Sequence, residues 1–263
     1  MNNKLHKYIF PFGAKELTIS FVKPQSKGII EALSLLIHSF QSELNPRIVH
    51  SSAYALNKAQ LGLSVKVKEE FIDFLYENIQ LSNTFDEFKP FKFEKALALN
   101  KIYDYLVING KENTLVKNLN FNFEASKLLK YFIIKKVNQF LKENKITNYL
   151  ITSETIHSSA GNLRWNSNFY IDEISEYVHF KLHNESAILV VLNQLESRTT
   201  KFANVDKTII GNFAIVIGKD PCELKALSLK LNTLNQESDY KKLASEYGLK
   251  IILINEKKET FSY

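Results

Sequence analysis

The sequence predicts an α+β protein in which helices pack on antiparallel sheets. Short runs that alternate apolar and polar residues, as in 16–22, are typical of strands with one buried face. Longer runs with an apolar residue every three or four positions, as in 28–40 and 128–145, are typical of amphipathic helices. No stretch is rich enough in Pro, Gly or Ser to form a linker, so residues 1–263 are expected to form one domain.

The first half of the chain is predicted to hold a strand, two helices and a hairpin. In order, these are a strand at 16–22, helices at 28–40 and 65–81, and strands at 102–108 and 115–123. The two strands of the hairpin are expected to be joined at Asn109 and Gly110. An Asn-Gly pair favours a type I′ turn, because both residues tolerate the positive φ angles that this turn requires.

The second half is predicted to alternate between helices and strands. In order, these are a helix at 128–145, a strand at 149–152, a meander at 169–171, 177–182 and 187–192, a strand at 213–217, helices at 221–234 and 238–247, and a strand at 249–254. Pro221 suits a first helical turn, where the backbone N–H has no helical partner. Gly248 is expected to cap the C-terminus of the helix before it.

The charge of the chain argues against a nucleic-acid-binding protein. The net charge is +6, from 34 Lys and Arg against 28 Asp and Glu. Most of the positive charge is lysine spread along the chain, and the lysines of 128–145 are typical of a core helix with a solvated face. Nucleic-acid recognition requires clustered basic and aromatic residues in a recognisable module, and the sequence contains none.

Cysteine usage and hydrophobicity indicate a cytoplasmic protein without a membrane span. Cys222 is the only cysteine, so the chain cannot form an internal disulfide. Pro11 and Gly13 interrupt the N-terminal region before it reaches the apolar length of a signal peptide. No stretch reaches the roughly 18 consecutive apolar residues of a transmembrane helix.

Two short motifs lie at the ends of the predicted helix 128–145. The first is A-S-K-L-L-K-Y-F at 125–132, and the second is I-T-N-Y-L-I-T-S-E-T at 146–155. In order and spacing they resemble the ApbE-type FAD:protein FMN transferases, which carry D-L-G-G-I-A-K-G-Y, a helix, and then G-V-T-N-A-L-V-N-A-G-G-D. Lys130 and the pair Thr147 and Asn148 match this pattern without a gap.

Shorter matches extend the resemblance over nearly the whole chain. They are Phe12-Gly13-Ala14 with M-G-T, Leu56-Asn57 with R-L-N, Thr84-Phe85-Asp86 with G-A-F-D, Trp165 after the G-G-D loop, and 225–230 with D-A-L-S-T-A. The resemblance implies a single ApbE-like, T-fold-like domain at 1–263, with FAD as its ligand. The flavin-binding positions that it implies are Gly13, Ala14, Phe85, Asp86, Lys130, Thr152, Ser153, Glu154 and Thr155.

The residues that would hold a metal depart from the family pattern. The family uses a divalent metal to activate the pyrophosphate of FAD, and the Asp and Thr of D-A-L-S-T-A supply ligands to it. Here these positions are Lys225 and Leu229. A lysine at contact distance from a cation in a partly buried site costs on the order of several kcal/mol. We therefore expect no metal site and no Mg²⁺ dependence.

The loop that approaches the flavin nucleotide in the family is also changed. Glu154 and Thr155 replace its two glycines, which allow close approach because they lack Cβ, and Ile156 replaces its Asp. Tyr131 replaces the Gly of A-K-G-Y. The H-I-I-D-P run survives at most in 204–206, and the A-T-S-G-D-Y run is not found in 187–198.

Three hypotheses about function follow. The leading one is a divergent ApbE-like pseudoenzyme whose old cleft binds a flavin nucleotide or a protein partner. The second is an active transferase in which Lys130 and Lys225, the candidate catalytic residues, supply the charge of the missing metal. The third is a structural or assembly protein without a small ligand, which predicts an exposed apolar patch in place of a cleft.

Other reactive residues are interpreted as structural. His179 and His183 would lie about 13 Å apart on a strand, too far for one metal ion. Ser158 and Ser159 follow His157 but lack the strand–turn–helix context of a nucleophilic serine. Cys222 lies at a helix start, where the dipole favours a thiolate, but a buried structural cysteine is the preferred interpretation.

Overall fold

The computed structural model describes residues 5–93, 105–192, 212–234, 236–255 and 257–263. It confirms the predicted α+β class, with helices packed on antiparallel sheets. The chain divides into two compact units. We call them the sheet unit, Met1–Gln25 with Asn138–Tyr263, and the helical unit, Ser26–Val137. The predicted remnant at 204–206 lies outside the described residues.

The sheet unit is built on one antiparallel sheet of eight strands within the described residues. The strands are β1 (His6–Phe12), β2 (Lys15–Phe21), β8 (Tyr149–Thr152), β9 (Ile156–Ala160), β12 (Ser186–Val191), β13 (Phe213–Gly218), β14 (Lys250–Ile254) and β15 (Thr260–Ser262), and they neighbour one another in this order. The sheet therefore joins strands from both ends of the chain.

A separate hairpin covers one face of this sheet. Its strands β10 (Trp165–Ile171) and β11 (Glu176–Leu182) pair with each other, and Phe169 and Phe180 join the buried cluster that contains Phe213 and Ile215 of β13. Alternate residues of β13 face the other side of the sheet. There, helix α5 (Pro221–Leu231) packs on β12 and β13, and α6 (Glu237–Tyr247) packs on β14.

The helical unit holds the other described elements. Its helices are α1 (Lys27–Leu44), α2 (Ser52–Lys58), α3 (Glu69–Thr84) and the greater part of α4 (Leu129–Glu143). Its strands are β3 (Ser64–Lys66), β4 (Phe91–Phe93), β5 (Leu106–Asn109), β6 (Thr114–Lys117) and β7 (Phe121–Phe123), which pair as β3-β6-β5 and β4-β7. Ser26 and Ser51 cap α1 and α2 with their hydroxyl oxygens.

Aromatic rings fill the core of the helical unit. Phe74 of α3 lies 5.8 Å from Phe123 and 4.9 Å from Phe132 of α4, between ring centroids, and Phe40 of α1 lies 5.7 Å from Phe132. All four rings are buried. Tilted and edge-on ring pairs at these distances add to the free energy of burial. The phenylalanine-rich composition is therefore used to join α1, α3 and α4.

The lysines of α4 form ion pairs with α3. Lys135 Nζ lies 2.8 Å from Glu77, and Lys136 Nζ lies 2.7 Å from Asp73. Asp73 and Glu77 are four residues apart, so both carboxylates lie on one face of α3. At least part of the basic face of α4 therefore serves the packing of the helical unit.

Three local predictions are wrong for reasons that lie outside the local pattern. The helix predicted at 65–81 begins only at Glu69, because 64–66 pair with β6. The strand predicted at 115–123 is divided between two sheets. The type I′ turn is replaced by a four-residue loop at 110–113, in which Asn109 Oδ1 accepts the N–H groups of Lys111 and Glu112. The positive φ falls on Asn113.

The meander predicted at 169–192 is also wrong. β11 pairs only with β10 among the described strands, whereas β12 pairs with β9 and β13 in the large sheet. β9 itself was not predicted, because its sequence I-H-S-S-A is buried at every position and has no alternation. Strand β1 was also missed, since Pro11 lies within it.

Candidate functional site

Six of the predicted flavin-binding residues come together at one end of the large sheet. Gly13 and Ala14 form the turn between β1 and β2, and residues 153–155 form the turn between β8 and β9. β2 and β8 are antiparallel neighbours with Thr18 opposite Thr152, so the two turns lie at the same end. Lys15 Nζ and Glu154 Oε1 are 3.2 Å apart and join them. We call this the hairpin end.

The other predicted positions lie on other elements of the chain. In the helical unit, Phe85 is buried at the C-terminus of α3, Asp86 beside it is exposed, and Lys130 lies in the first turn of α4 with its ammonium 5.1 Å from the Tyr131 ring centre. In the sheet unit, Lys225 lies half-buried on α5. These placements follow from the local sequence, since each residue lies at or near the helix predicted for it.

The turn between β8 and β9 is closed by its own hydrogen bonds. Ser153 N donates to Ile156 O at 2.9 Å, and Ser153 Oγ donates to the same oxygen at 3.3 Å. Thr155 O accepts a bond from Leu189 N at 3.0 Å. The Ser153 N–H is therefore committed within the turn and does not point to a bound phosphate.

His157 anchors this turn from inside the sheet unit. Its ring packs against Phe169, at 4.4 Å, and Phe180, at 5.9 Å between ring centres. Nε2 lies 3.0 Å from Ser153 O, and Nδ1 is within hydrogen-bond distance of Ser167 Oγ. A carbonyl oxygen only accepts, so Nε2 carries the proton and Nδ1 accepts from the Ser167 hydroxyl in the neutral ring.

The surroundings of His157 keep it neutral. Burial lowers the pKa of His157 to about 4, against a smaller upward effect of the hydrogen bond to Ser153. The role of His157 was missed in the sequence, where it was considered only as a neighbour of Ser158. The run I-H-S-S-A has no alternation, and no signal in it distinguishes a buried, neutral His157.

The serines after His157 are structural. Ser158 Oγ lies 2.8 Å from Ser186 Oγ and accepts a bond from Asn138 Nδ2 at 2.9 Å. The Tyr149 hydroxyl donates to Asn138 Oδ1 at 3.0 Å. These groups satisfy one another in a buried setting, as buried polar groups do. This network agrees with the interpretation that Ser158 is not a nucleophile.

Asn148, the second residue of the matched pair Thr147 and Asn148, has a structural role. Asn148 has a φ of 59°, and its Oδ1 accepts hydrogen bonds from Asn162 N at 2.8 Å and Leu163 N at 3.2 Å. Its carbonyl accepts from Val22 N at 3.4 Å. Asn148 thus ties the start of β8 to the segment after β9, at the end of the sheet away from the hairpin end.

The Asn57 of the matched L-N pair has a similar role in the helical unit. Its Nδ2 donates to Phe123 O at 3.1 Å, and its Oδ1 accepts from Phe123 N at 2.8 Å. A side-chain amide that bonds both backbone groups of one residue substitutes for a neighbouring strand. Asn57 therefore holds β7 in place across 66 positions of sequence.

The hairpin end does not suit Mg²⁺. Mg²⁺ requires hard oxygen ligands in a near-octahedral arrangement. The one carboxylate of 152–155 is Glu154, which is exposed and paired with the ammonium of Lys15. Lys225 stands where the family pattern places an Asp ligand. The residues present therefore do not fit the metal.

Helix α5 begins at a well-formed cap. Asp220 accepts from Cys222 N at 2.7 Å and from Glu223 N at 3.3 Å, and Pro221 occupies the first turn as predicted. Cys222 is buried, as the structural interpretation expects. Within the part of the chain that the structure describes, no helix is both long and apolar enough to cross a membrane.

Comparison with known proteins finds similarity in structure alone. No protein-family model and no curated protein sequence matches the chain. Several solved structures are similar over nearly their whole length. Three of them are flavin transferase ApbE from Vibrio cholerae (TM-score 0.68, 13% identity, 99% of this chain and 96% of that one), flavinyl transferase ApbE from Pseudomonas stutzeri in its apo form (0.71, 14%, 98% and 94%), and the ApbE protein from Thermotoga maritima (0.71, 11%, 98% and 96%). The chain therefore has the fold of the ApbE flavin transferases, at a sequence identity low enough for wide divergence.

Proposed function

We propose that this protein is a non-catalytic relative of the ApbE flavin transferases that binds a flavin nucleotide without magnesium-dependent FMN transfer. The fold supports a relation to flavin, because the similar structures are named flavin or flavinyl transferases. The hairpin end is the proposed binding surface, formed by Gly13, Ala14 and 152–155. Phe85, Asp86, Lys130 and Lys225 stay separate candidate positions, each within its own unit.

The observation that carries this proposal is that polar groups of the β8–β9 turn are bonded to other residues of the protein. Its Ser153 N–H is bonded to Ile156 O, and its carboxylate, Glu154, is paired with Lys15. The Ser153 N–H is therefore not available to a phosphate, and the one carboxylate of the turn is neutralised by an ammonium group. Transfer chemistry depends on electrostatic stabilisation of charge at the pyrophosphate, and neither of these two groups supports it.

The first test is the binding of FAD to the purified protein after removal of endogenous ligand. We expect binding, followed by fluorescence and calorimetry, to have the same affinity with and without Mg²⁺. We expect no FMN transfer and no FAD cleavage in either condition. Metal-dependent FAD cleavage at ordinary enzyme rates would overturn the proposal. Absence of FAD binding would exclude the flavin ligand and favour the protein-partner hypothesis instead.

A paired substitution tests the hairpin end itself. Glu154→Gln removes a negative charge beside the proposed nucleotide, so FAD affinity should rise by about threefold, a modest gain expected of an exposed charge. Glu246→Gln removes an exposed charge from α6 and is the matched control, for which we expect no change. Equal effects of the two variants would mean that FAD does not bind at the hairpin end.

A different result is expected if the lysines replace the metal. In that second hypothesis, Lys225→Ala abolishes transfer activity while the far-ultraviolet circular dichroism and the unfolding midpoint are kept. Lys242→Ala, an exposed lysine of α6, serves as the control for the loss of one positive charge. Under our proposal neither variant changes activity, because there is none to lose.

A further inference from the structure

A polar cavity lies at the end of the sheet unit opposite the hairpin end. Its volume is about 290 Å³, and it is lined by Arg164, Lys181, Leu182, His183, Glu185 and Lys250. β9 pairs with β12 so that Ile156 lies opposite Ile188 and Ser158 opposite Ser186. Glu185 therefore lies beyond Ser186, away from the turn at 153–155. We call this the basic cavity, and it is separate from the hairpin end.

Strand pairing brings the basic residues of this cavity together. Trp165 lies opposite Leu182 as the last pair of the β10–β11 hairpin, so Arg164, just before β10, and His183, just after β11, adjoin the same end of that hairpin. Lys181 is the last residue but one of β11 and is exposed. Leu182 is fully buried and provides an apolar base. Lys250 comes from the first residue of β14.

Among the described residues, Glu185 is the only acidic one that lines the cavity, and it is already bonded. Its Oε1 accepts from Lys250 Nζ at 2.8 Å, and its Oε2 accepts from His183 N at 3.4 Å. Glu185 N in turn donates to Ser159 Oγ at 3.4 Å. Arg164 and Lys181 have no carboxylate within ion-pair distance in the described ranges. The lining therefore carries a net charge of +2 with His183 neutral, from three cations and one anion.

Like charges that lie close together without a counter-charge destabilise a sheet. Packing therefore gives no reason for the basic residues that line this cavity. A concave site that gathers them attracts anions and concentrates their field. Arginine binds phosphate oxygens with two parallel N–H groups, and lysine adds a point charge. A volume of about 290 Å³ equals that of about ten water molecules, enough for a small phosphorylated compound.

We propose that the basic cavity binds a phosphoryl group, as a monoester or diphosphate, through Arg164, Lys181 and Lys250. Glu185 orients Lys250 and lowers the affinity by its own charge. This site is independent of the proposed flavin surface, since it lies at the opposite end of the sheet unit. The phosphoryl group can come from a soluble metabolite or from a lipid headgroup, and the two sources are distinguished below.

The test is a titration of the full chain with inorganic pyrophosphate, followed by calorimetry and by amide NMR shifts. The wild type should bind with shifts centred on 181–185 and 250. Arg164→Gln with Lys181→Gln should weaken binding by about tenfold or more, because both are direct charge-assisted donors. Glu185→Gln should strengthen pyrophosphate binding by several-fold. The substitution releases Lys250 from its ion pair and raises the net charge of the cavity, and both changes increase the attraction of an anion.

Matched controls separate a site from general basicity. Lys23→Gln with Lys242→Gln removes two exposed positive charges elsewhere in the sheet unit, and Glu246→Gln removes an exposed negative one. Both should leave pyrophosphate affinity unchanged. The proposal is overturned if pyrophosphate does not bind at physiological salt, or if the control pair weakens binding as much as the cavity pair does.

The source of the phosphoryl group is read from vesicles that contain phosphatidic acid. Pyrophosphate binding without vesicle binding indicates a soluble ligand. Vesicle binding that Arg164→Gln with Lys181→Gln abolishes indicates a lipid headgroup. Vesicle binding that survives in this variant, together with weak pyrophosphate binding, argues against the cavity as the phosphoryl site.

Discussion

Replacing Gly161 with alanine is expected to destabilise the protein by roughly 3–5 kcal/mol, through backbone strain and steric overlap. Gly161 has a φ of 94°, a backbone conformation that residues with a side chain rarely adopt. An added Cβ would overlap Asn148 N and lie 2.8 Å from Asn148 Cα, so backbone rather than a flexible side chain would have to move. Unfolding in urea, followed by fluorescence, measures the loss.

Gly248 provides the control for this substitution. It has a φ of 61° at the C-terminus of α6, and no atom lies within 4 Å of the position that a Cβ would take there. Gly248→Ala should therefore cost only about 1 kcal/mol, the conformational penalty alone. The difference between the two variants isolates the contact with Asn148. If both variants lose the same free energy of unfolding, Gly161 does not closely approach Asn148.

The second large effect is a loss of stability in acid that depends on His157. In the window between pH 6.5 and about 4, the unfolded histidine binds a proton and the buried one does not. The unfolded state therefore binds more protons, and the free energy of unfolding falls as the pH falls. Over the whole window His157 should account for a loss of about 3 kcal/mol. Below about pH 4 the native ring is also protonated, and its contribution stops changing.

His157→Gln separates this effect from that of the carboxylates. Gln can still donate to Ser153 O, but it does not titrate. Protonation of carboxylates such as Glu43 also lowers the stability of the protein in acid. Burial raises the pKa of Glu43, but hydrogen bonds from Lys68 and Ser52 lower it by more, so the folded state favours its charged form. Urea unfolding of both proteins at several pH values gives the two profiles. The His157 effect is their difference, and parallel profiles between pH 6.5 and 4 would disprove a depressed pKa.

Two of the motif residues that this chain shares with the family pattern, Asn57 and Asn148, hold the fold. Asn57 bonds both backbone groups of Phe123, and Asn148 bonds the segment after β9. The letters that changed are those which the resemblance assigns to metal or nucleotide, among them Glu154 and Lys225.

The candidate site was predictable only in part. The resemblance placed Gly13, Ala14 and 152–155 in one site, and strand pairing brings these residues to one end of the sheet. The pairing of Glu154 with Lys15 was not predictable, since 139 residues separate them. The basic cavity was also missed, because its residues come from two strands, β11 and β14, from the turn after β11 and from the segment before β10, and none of them forms a motif.

Elements with local signals could be predicted from the amino-acid sequence. Strand β8 matches its prediction at both ends, and α6 ends at Tyr247, where Gly248 adopts the left-handed conformation expected of a glycine cap. The placement of β11 and β12 in different sheets and the role of His157 as a neutral anchor could be seen only in the folded chain. Helix periodicity and capping depend on residues within a few positions of one another. Strand pairing and the pKa of a buried group depend on residues that the fold brings together from far apart in the chain.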